Sequence, residues 1–540
     1  MTHRLALTLT ALLALGCNSD KDGDDSGGEA VDPWTDRAVY GIANLDDDDG
    51  DGAADWAQDA EGDDDRFGFT LEEALFADAP DGGVLALQLR GNTGRIRVLS
   101  DGAVLLDGDT GPVELDVPAG DLDLEVEFRT IGAAGWIAVE LQDADGDVVE
   151  SMDVDLRASP LILNHHLQPV ERVFAMSASG ADGNQPFING FEDVLGGTFE
   201  GFGMARYGWD VWIQDEIELS TMTAPGGARM DLVIDSIRSP QGQYLGALPD
   251  DVFGEDPDTV IDTWGSGVPT SQDSFGNLEV SPPVTVDGVS YPFGRAYYGH
   301  WFADEMHEDM VAMLEAQKIQ DPFELDVGFL CVGHVDEFTT FVPDPSSDKG
   351  FRFVVGDVDL AYEFLEAQPA ATRLPRYAQD HGYSTIGDIV DDGALRAMNE
   401  EIQADYVEPA VEQFKAELGL TDDDIIRIPA IFEEVRGCRG STVGLIPGTA
   451  NMTVAPLESG ETHLFMPDPF LRPSGDDQGD DPFIAEIEGL LPEGLDFHWL
   501  DDWDYYHIML GEVHCGSNVV RTPIADWWDV ALHLLVDEED

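Results

Sequence analysis

Between about 35 and 156, apolar residues fall on alternate positions: Leu122, Leu124, Val126 and Phe128, then Ile137, Val139 and Leu141, then Met152, Val154 and Leu156. A period of two sends successive side chains to opposite faces of a strand, and the Asp/Gly clusters between the runs supply turns. This stretch therefore predicts an antiparallel β-sandwich with one buried face per sheet. From 157 onward the pattern mixes. Phe351-Arg352-Phe353-Val354-Val355 reads as a strand, whereas Leu395, Met398, Ile402, Tyr406, Val411, Phe414 and Leu418 keep spacings near three and four. They predict a helix over 394–418, capped by Gly419 and kinked or divided at Pro409. The chain thus reads as α+β, with a sandwich at 35–156 and a larger mixed domain at 157–540. No internal repeat of fixed period is visible.

The first 17 residues do not fit this pattern. Arg4 precedes an apolar stretch from Leu5 to Leu15, and Ala14-Leu15-Gly16-Cys17 follows. This is the form of an export signal, and its end resembles a bacterial lipoprotein cleavage site with Cys17 as the lipidated residue. Residues 18–34, rich in Asp, Gly and Ser, read as an acidic linker. No later segment offers the roughly 20 consecutive apolar residues that a spanning helix needs. The expected location is the cell envelope or outside the cell, with membrane contact only through the lipid.

Charge narrows the partners. With 110 acidic and 26 basic residues among 540, the formal charge is −84. Such a chain repels itself when compact, and bound divalent cations or high salt would offset the repulsion. The same field excludes a nucleic-acid partner and attracts cationic ligands such as arginine-bearing substrates. After Cys17 only Cys331, Cys438 and Cys515 remain, an odd number, so at least one thiol is free or pairs with another molecule.

Two sets of residues carry chemistry. Asp47, Asp49 and Asp51, followed by Gly52 and Asp55, have the alternating carboxylate spacing that wraps Ca²⁺, although Gln58 stands where a full helix–loop–helix site has glutamate. Three separated segments, Trp212–Glu216, Val332–Phe338 and Gly511–Asn518, each place titratable residues among apolar or glycine neighbours. Together they supply carboxylates to grip a cation, a thiol nucleophile and an imidazole acid/base, which is what hydrolysis of a guanidinium requires.

Those segments, WIQDE, DSFGNLEVSPPVTV, VGHVDEF, FVPDPSSDKGFRF and GEVHCGSNV, resemble corresponding segments of the protein-arginine deiminases in the same order over about 157–530. The resemblance implies an immunoglobulin-like domain at 35–156 carrying a calcium loop, without a counterpart of the animal N-terminal domain. It further implies a five-bladed α/β propeller at 157–540 with the site at its centre. By motif, Cys515 is the nucleophile, His334 the general acid/base, and Asp215 and Asp336 the grip on the guanidinium. Trp212 would pack on the arginine stem and Arg238 would hold peptide backbone. Met509 and Pro240 stand where animal members often carry arginine, which weakens the match of the backbone contacts.

Several Ca²⁺ ions are expected from the same resemblance. One site would use Gln214, Glu218 and Glu279 with the backbone oxygens of Phe275 and Leu278; another would use Glu216, Asp235, Ser236 and Ser239. The implied reaction converts peptidyl-arginine to peptidyl-citrulline and ammonia through a covalent thiouronium on Cys515, in calcium-dependent fashion. The alternatives are hydrolysis of a small guanidine such as free arginine or agmatine, and a calcium-stabilised surface binding lipoprotein on an inactive scaffold.

Overall fold

The structure, a computed structural model, describes residues 33–46, 54–57, 65–91, 94–108, 111–178, 183–302, 304–374, 381–435, 437–438, 441–472, 481–523 and 525–535. Cys17, Asp47, Asp49 and Asp51 lie outside the described residues. Asp55 is fully buried at the start of a single turn, Asp55–Ala57, and its amide donates to the Asp46 carbonyl at 3.0 Å.

The alternating stretch forms two sheets. One runs Arg37–Gly41, Val148–Ala158, Ala134–Gln142, Val84–Gly91, Val113–Asp116 in spatial order, and the other runs Arg66–Leu71, Leu122–Phe128, Ile96–Ser100, Ala103–Asp107. The first strand pairs parallel to its neighbour, with Val39 opposite Leu156; the other pairs are antiparallel. Leu124, Val126 and Phe128 of one sheet share a core with Ile137, Val139, Val154 and Leu156 of the other, so the predicted inward faces are the buried ones.

Beyond residue 160 a single unit recurs. In each of five small sheets a strand turns back on an antiparallel neighbour, the chain crosses over through helix, and a third strand returns parallel to that neighbour. The opening strands are Ile217–Ala224, Leu278–Val280, Thr339–Pro343, Thr453–Pro456 and Ser517–Arg521. The last of these joins the start of the domain, pairing with Val170–Ser177, so that sheet is assembled from both ends of the chain. Among the described residues no sheet closes on itself.

The predicted helix is present with its break. Gly393–Ile402 and Glu408–Leu418 are α-helical, and Gln403–Val407 between them widens into a π-turn immediately before Pro409. A proline has no N–H to donate to the carbonyl one turn back and its ring crowds that carbonyl, and widening is one way to accommodate it. Gly419 caps the end at φ 61°. The sandwich packs on the second region: Ile42 shares a core with Leu161, Met222 and Tyr298, and the Tyr40 ring lies 5.4 Å from Trp527.

Candidate functional site

Each recurring sheet presents a short loop just ahead of its opening strand, and these five loops carry the candidate chemistry. Asp215, Gly276, Asn451 and Cys515 each stand two residues before the strand that follows, and Asp336 stands three before. One structural position, repeated five times, thus brings together residues that are up to 300 apart in sequence.

The loops meet at Gly276. A Cβ there would lie 2.8 Å from His334 Nδ1, 2.9 Å from Asp215 Oδ1 and 3.2 Å from Asp336 Oδ2, so only a residue without a side chain leaves the three groups room to face one another. His334 is held at both nitrogens: Nδ1 lies 3.4 Å from Asp215 Oδ1, and Nε2 lies 2.9 Å from the Ser271 carbonyl, to which it donates. Its own loop is fixed by Glu337, whose Oε1 accepts from the Gly333 and His334 amides at 2.9 Å each.

On the other side, Asp336 Oδ2 accepts from His514 Nδ1 at 2.9 Å and lies 3.3 Å from Cys515 Sγ. Asp336 Oδ1 is buried without a hydrogen-bond partner, and Asp215 Oδ1 has only the 3.4 Å ion pair with His334. Unpaired buried carboxylate oxygens are costly unless something cationic meets them. The Trp212 ring lies over Gly511 and edge-on to Tyr506 at 5.8 Å.

The electrostatics favour a cationic ligand. Burial disfavours the His334 cation, but Asp215 beside it outweighs burial and carries the imidazole to about 9. Asp215, which burial alone would push up, is in turn drawn below its ordinary range by His334. Burial raises the Cys515 thiol well above its usual value, and the charges of Asp336 and Asp215 raise it further. A cation placed between those carboxylates would cancel the second effect and favour the thiolate.

Both oxygen-rich sets named from the sequence assemble beside the site. Gln214 Nε2 bonds Glu218 Oε2 at 3.2 Å and the Phe275 carbonyl at 3.3 Å, with Leu278 and Glu279 next in the chain on Leu278–Val280. The Gln214 amide bonds the Cys515 carbonyl at 3.3 Å, which ties that set to the nucleophile's own loop. In the second set Ser239 Oγ donates to Glu216 Oε2 at 2.7 Å, and Ser236 Oγ donates to the Asp273 carbonyl at 2.6 Å. Glu216 Oε1 and Asp235 Oδ1 are buried without partners, and burial lifts both carboxyls to about 7. Burial, then Glu279, lifts Glu218 well above its ordinary value. Buried carboxylate oxygens clustered this closely, with Glu216 Oε1, Asp235 Oδ1 and Glu279 Oε1 unpaired, fit Ca²⁺.

Arg238 faces this second set: its guanidinium donates to Glu216 Oε2 at 3.0 Å and to Asp210 Oδ2 at 3.1 Å. Its charge therefore neutralises carboxylates here. The free thiol implied by the odd cysteine count is Cys515, because Cys331 and Cys438 form a disulfide with Cα atoms 5.4 Å apart. Asn451 and Gly276 were not legible as site residues. Both carry no charge, and their only signal was a position two residues before an apolar strand.

A buried thiol, an imidazole and two carboxylates are thus gathered at one place, the residue types that sulfur attack on a cationic carbon would require. The chain belongs to the protein-arginine deiminase family, whose model matches residues 148–529. It is 32% identical over 427 residues to human protein-arginine deiminase type-4, covering 74% of this chain and 59% of that protein. It is 36% identical over 344 residues to human type-3, covering 59% and 48%, and 32% identical over 409 residues to mouse type-1, covering 70% and 56%. The chain thus spans about half the length of the curated relatives it matches.

Proposed function

We propose that this protein hydrolyses the guanidinium of peptidyl-arginine to peptidyl-citrulline and ammonia. The observation that supports it best is the convergence of His334, Asp215 and Asp336 on Gly276, with Cys515 3.3 Å from Asp336. The unpaired Asp336 oxygen and the Asp215 carboxylate suit the two nitrogen edges of a guanidinium, and Trp212 suits its aliphatic stem.

In this scheme Cys515 Sγ forms a bond to the guanidinium carbon, whose displaced electron pair passes to nitrogen. His334 gives its proton to one terminal nitrogen, the C–N bond breaks, and ammonia leaves a covalent thiouronium. Water then attacks the same carbon as His334 takes a proton from it; the C–S bond breaks and citrulline is released. One imidazole is acid in the first half and base in the second, and no electron is gained or lost overall.

The Gln214, Glu218, Glu279, Phe275 and Leu278 oxygens and the Glu216, Asp235, Ser236 and Ser239 oxygens would hold Ca²⁺, which supplies charge and order to the segments on either side of Asp215. Calcium dependence follows from this position, because Gln214 and Glu216 flank the substrate carboxylate. The five sheets are proposed as blades of a propeller around the site, and the 35–156 sandwich as an immunoglobulin-like domain. Residues 1–17 are proposed as an export signal ending at lipidated Cys17, with 18–34 as linker.

The test is to acid-quench the enzyme during turnover of a blocked arginine and measure the intact mass of Cys515 peptides. A thiouronium adduct on Cys515 supports the scheme; turnover without any adduct under conditions that slow the water step contradicts it.

A further inference from the structure

Glu279 lies between two imidazoles that the reaction does not use. His166 Nε2 is 2.9 Å from Glu279 Oε2, and His514 Nε2 is 3.6 Å from Glu279 Oε1. The two rings are 5.0 Å apart, and one donor atom from each of the three residues lies within 4.8 Å of the others. Glu279 is 5% exposed, and its Oε1 has no hydrogen-bond partner. The group lines a cavity shared with the oxygen-bearing side chains of Gln214, Glu218 and Asn518 and with the buried Arg521, whose guanidinium donates to the His166, Gln168 and Val454 carbonyls.

Each imidazole is also fixed from behind. His514 Nδ1 donates to Asp336 Oδ2 at 2.9 Å, and since a carboxylate only accepts, Nδ1 holds the proton and Nε2 is free to offer its lone pair. His166 Nε2 faces Glu279 Oε2, which only accepts, so without a metal that nitrogen carries the proton; a metal ion would displace it, and Nδ1, 3.0 Å from Thr340 Oγ1, can then donate to the hydroxyl. Two imidazole nitrogens and a carboxylate, with an oxygen partner behind each ring, match the His₂Glu donor set and outer-shell support of zinc sites. Ca²⁺, by contrast, takes oxygen ligands.

We propose that His166, Glu279 and His514 form a site for a divalent transition-metal ion of the zinc class. Glu279 belongs to this set and to one of the proposed calcium sets, so the two ions exclude each other there. The ion sits one imidazole away from Asp336, and therefore close to Cys515, which makes the site a point at which a second metal can set the response to calcium.

The site is tested on untagged full-length protein stripped with chelator, titrated with Co²⁺ while visible ligand-field absorption is followed, and with Zn²⁺ by equilibrium dialysis. The expected result is a saturable band that Ca²⁺ suppresses competitively. His166→Ala should weaken Co²⁺ at least about tenfold, and Thr340→Val, which removes only the hydrogen bond behind the ring, should weaken it in the same direction. The His463–His498 pair, 3.0 Å apart, is the control: His463→Ala should leave the band unchanged. A band indifferent to both His166→Ala and Thr340→Val, a band lost with His463→Ala, or no saturable band at all would overturn the proposal. These readouts do not depend on deiminase activity, so failure of either assignment is seen separately.

Discussion

The Asn451 carboxamide grips Cys515 at both ends. Its Nδ2 lies 3.1 Å from Sγ, and its Oδ1 accepts from the Cys515 amide at 3.2 Å and the His514 amide at 2.9 Å. The same Nδ2 donates to the Asp336 backbone carbonyl at 3.0 Å, so one side chain sets the thiol against the carboxylate. Asn451→Ala removes this spacing without touching any titrating group. The expected effect is a loss of about a hundredfold in kcat with a smaller change in KM, as for misplaced reacting atoms. Steady-state kinetics within a few-fold of wild type would show that Asn451 does not position the nucleophile.

Cys515→Ala deletes the sulfur while leaving the Asn451 contacts to backbone intact, because these run to amides. Turnover should vanish, with thermal stability and calcium binding nearly unchanged by scanning calorimetry and dialysis. Residual citrulline formation by a pure Cys515→Ala preparation contradicts the covalent scheme.

At Gly276 the smallest side chain is already too large. Gly276→Ala would drive a methyl against His334 Nδ1 and Asp215 Oδ1, at 2.8 and 2.9 Å. Activity should fall at least about a hundredfold, while the circular dichroism spectrum stays that of the wild type. Near-normal kcat in this variant would mean that the three groups do not work across Gly276.

The metal-free protein should lose stability as pH rises from about 5 to 8. Burial holds Glu216 and Asp235 at about 7 when folded, above their unfolded values, so the folded state binds more protons in that window. The unfolded-minus-folded proton count is then negative, and stability falls with increasing pH. Calcium, by replacing those protons, should flatten the trend. Glu216→Gln should flatten it without calcium, which separates this effect from repulsion by the net charge of −84. A metal-free Tm with the same pH slope in wild type and Glu216→Gln sinks this account.

Much of the fold was legible where one face of an element is buried. Leu124, Val126 and Phe128 alternate because a sheet has two faces, and Leu395 to Leu418 recur near every third or fourth residue because a helix has one buried side. The fivefold recurrence was not legible in the residue pattern and was expected only through the family resemblance, since its recurring feature is where a loop ends and not which residues it contains. Cys515, His334, Asp215 and Asp336 stood out through their chemistry and their motifs. Asn451 and Gly276 did not, because an amide and a missing side chain act through geometry alone. His514 stands next to Cys515 in the chain, and its ring is shared between Asp336 and Glu279.

The most direct test of the central claim is citrulline formation by the purified protein on an N-acylated arginine amide and on free arginine, each with millimolar calcium and with excess chelator. The account predicts citrulline from the blocked substrate alone, and only with calcium. Conversion of free arginine in preference to the blocked amide, or no citrulline under any condition, would contradict it.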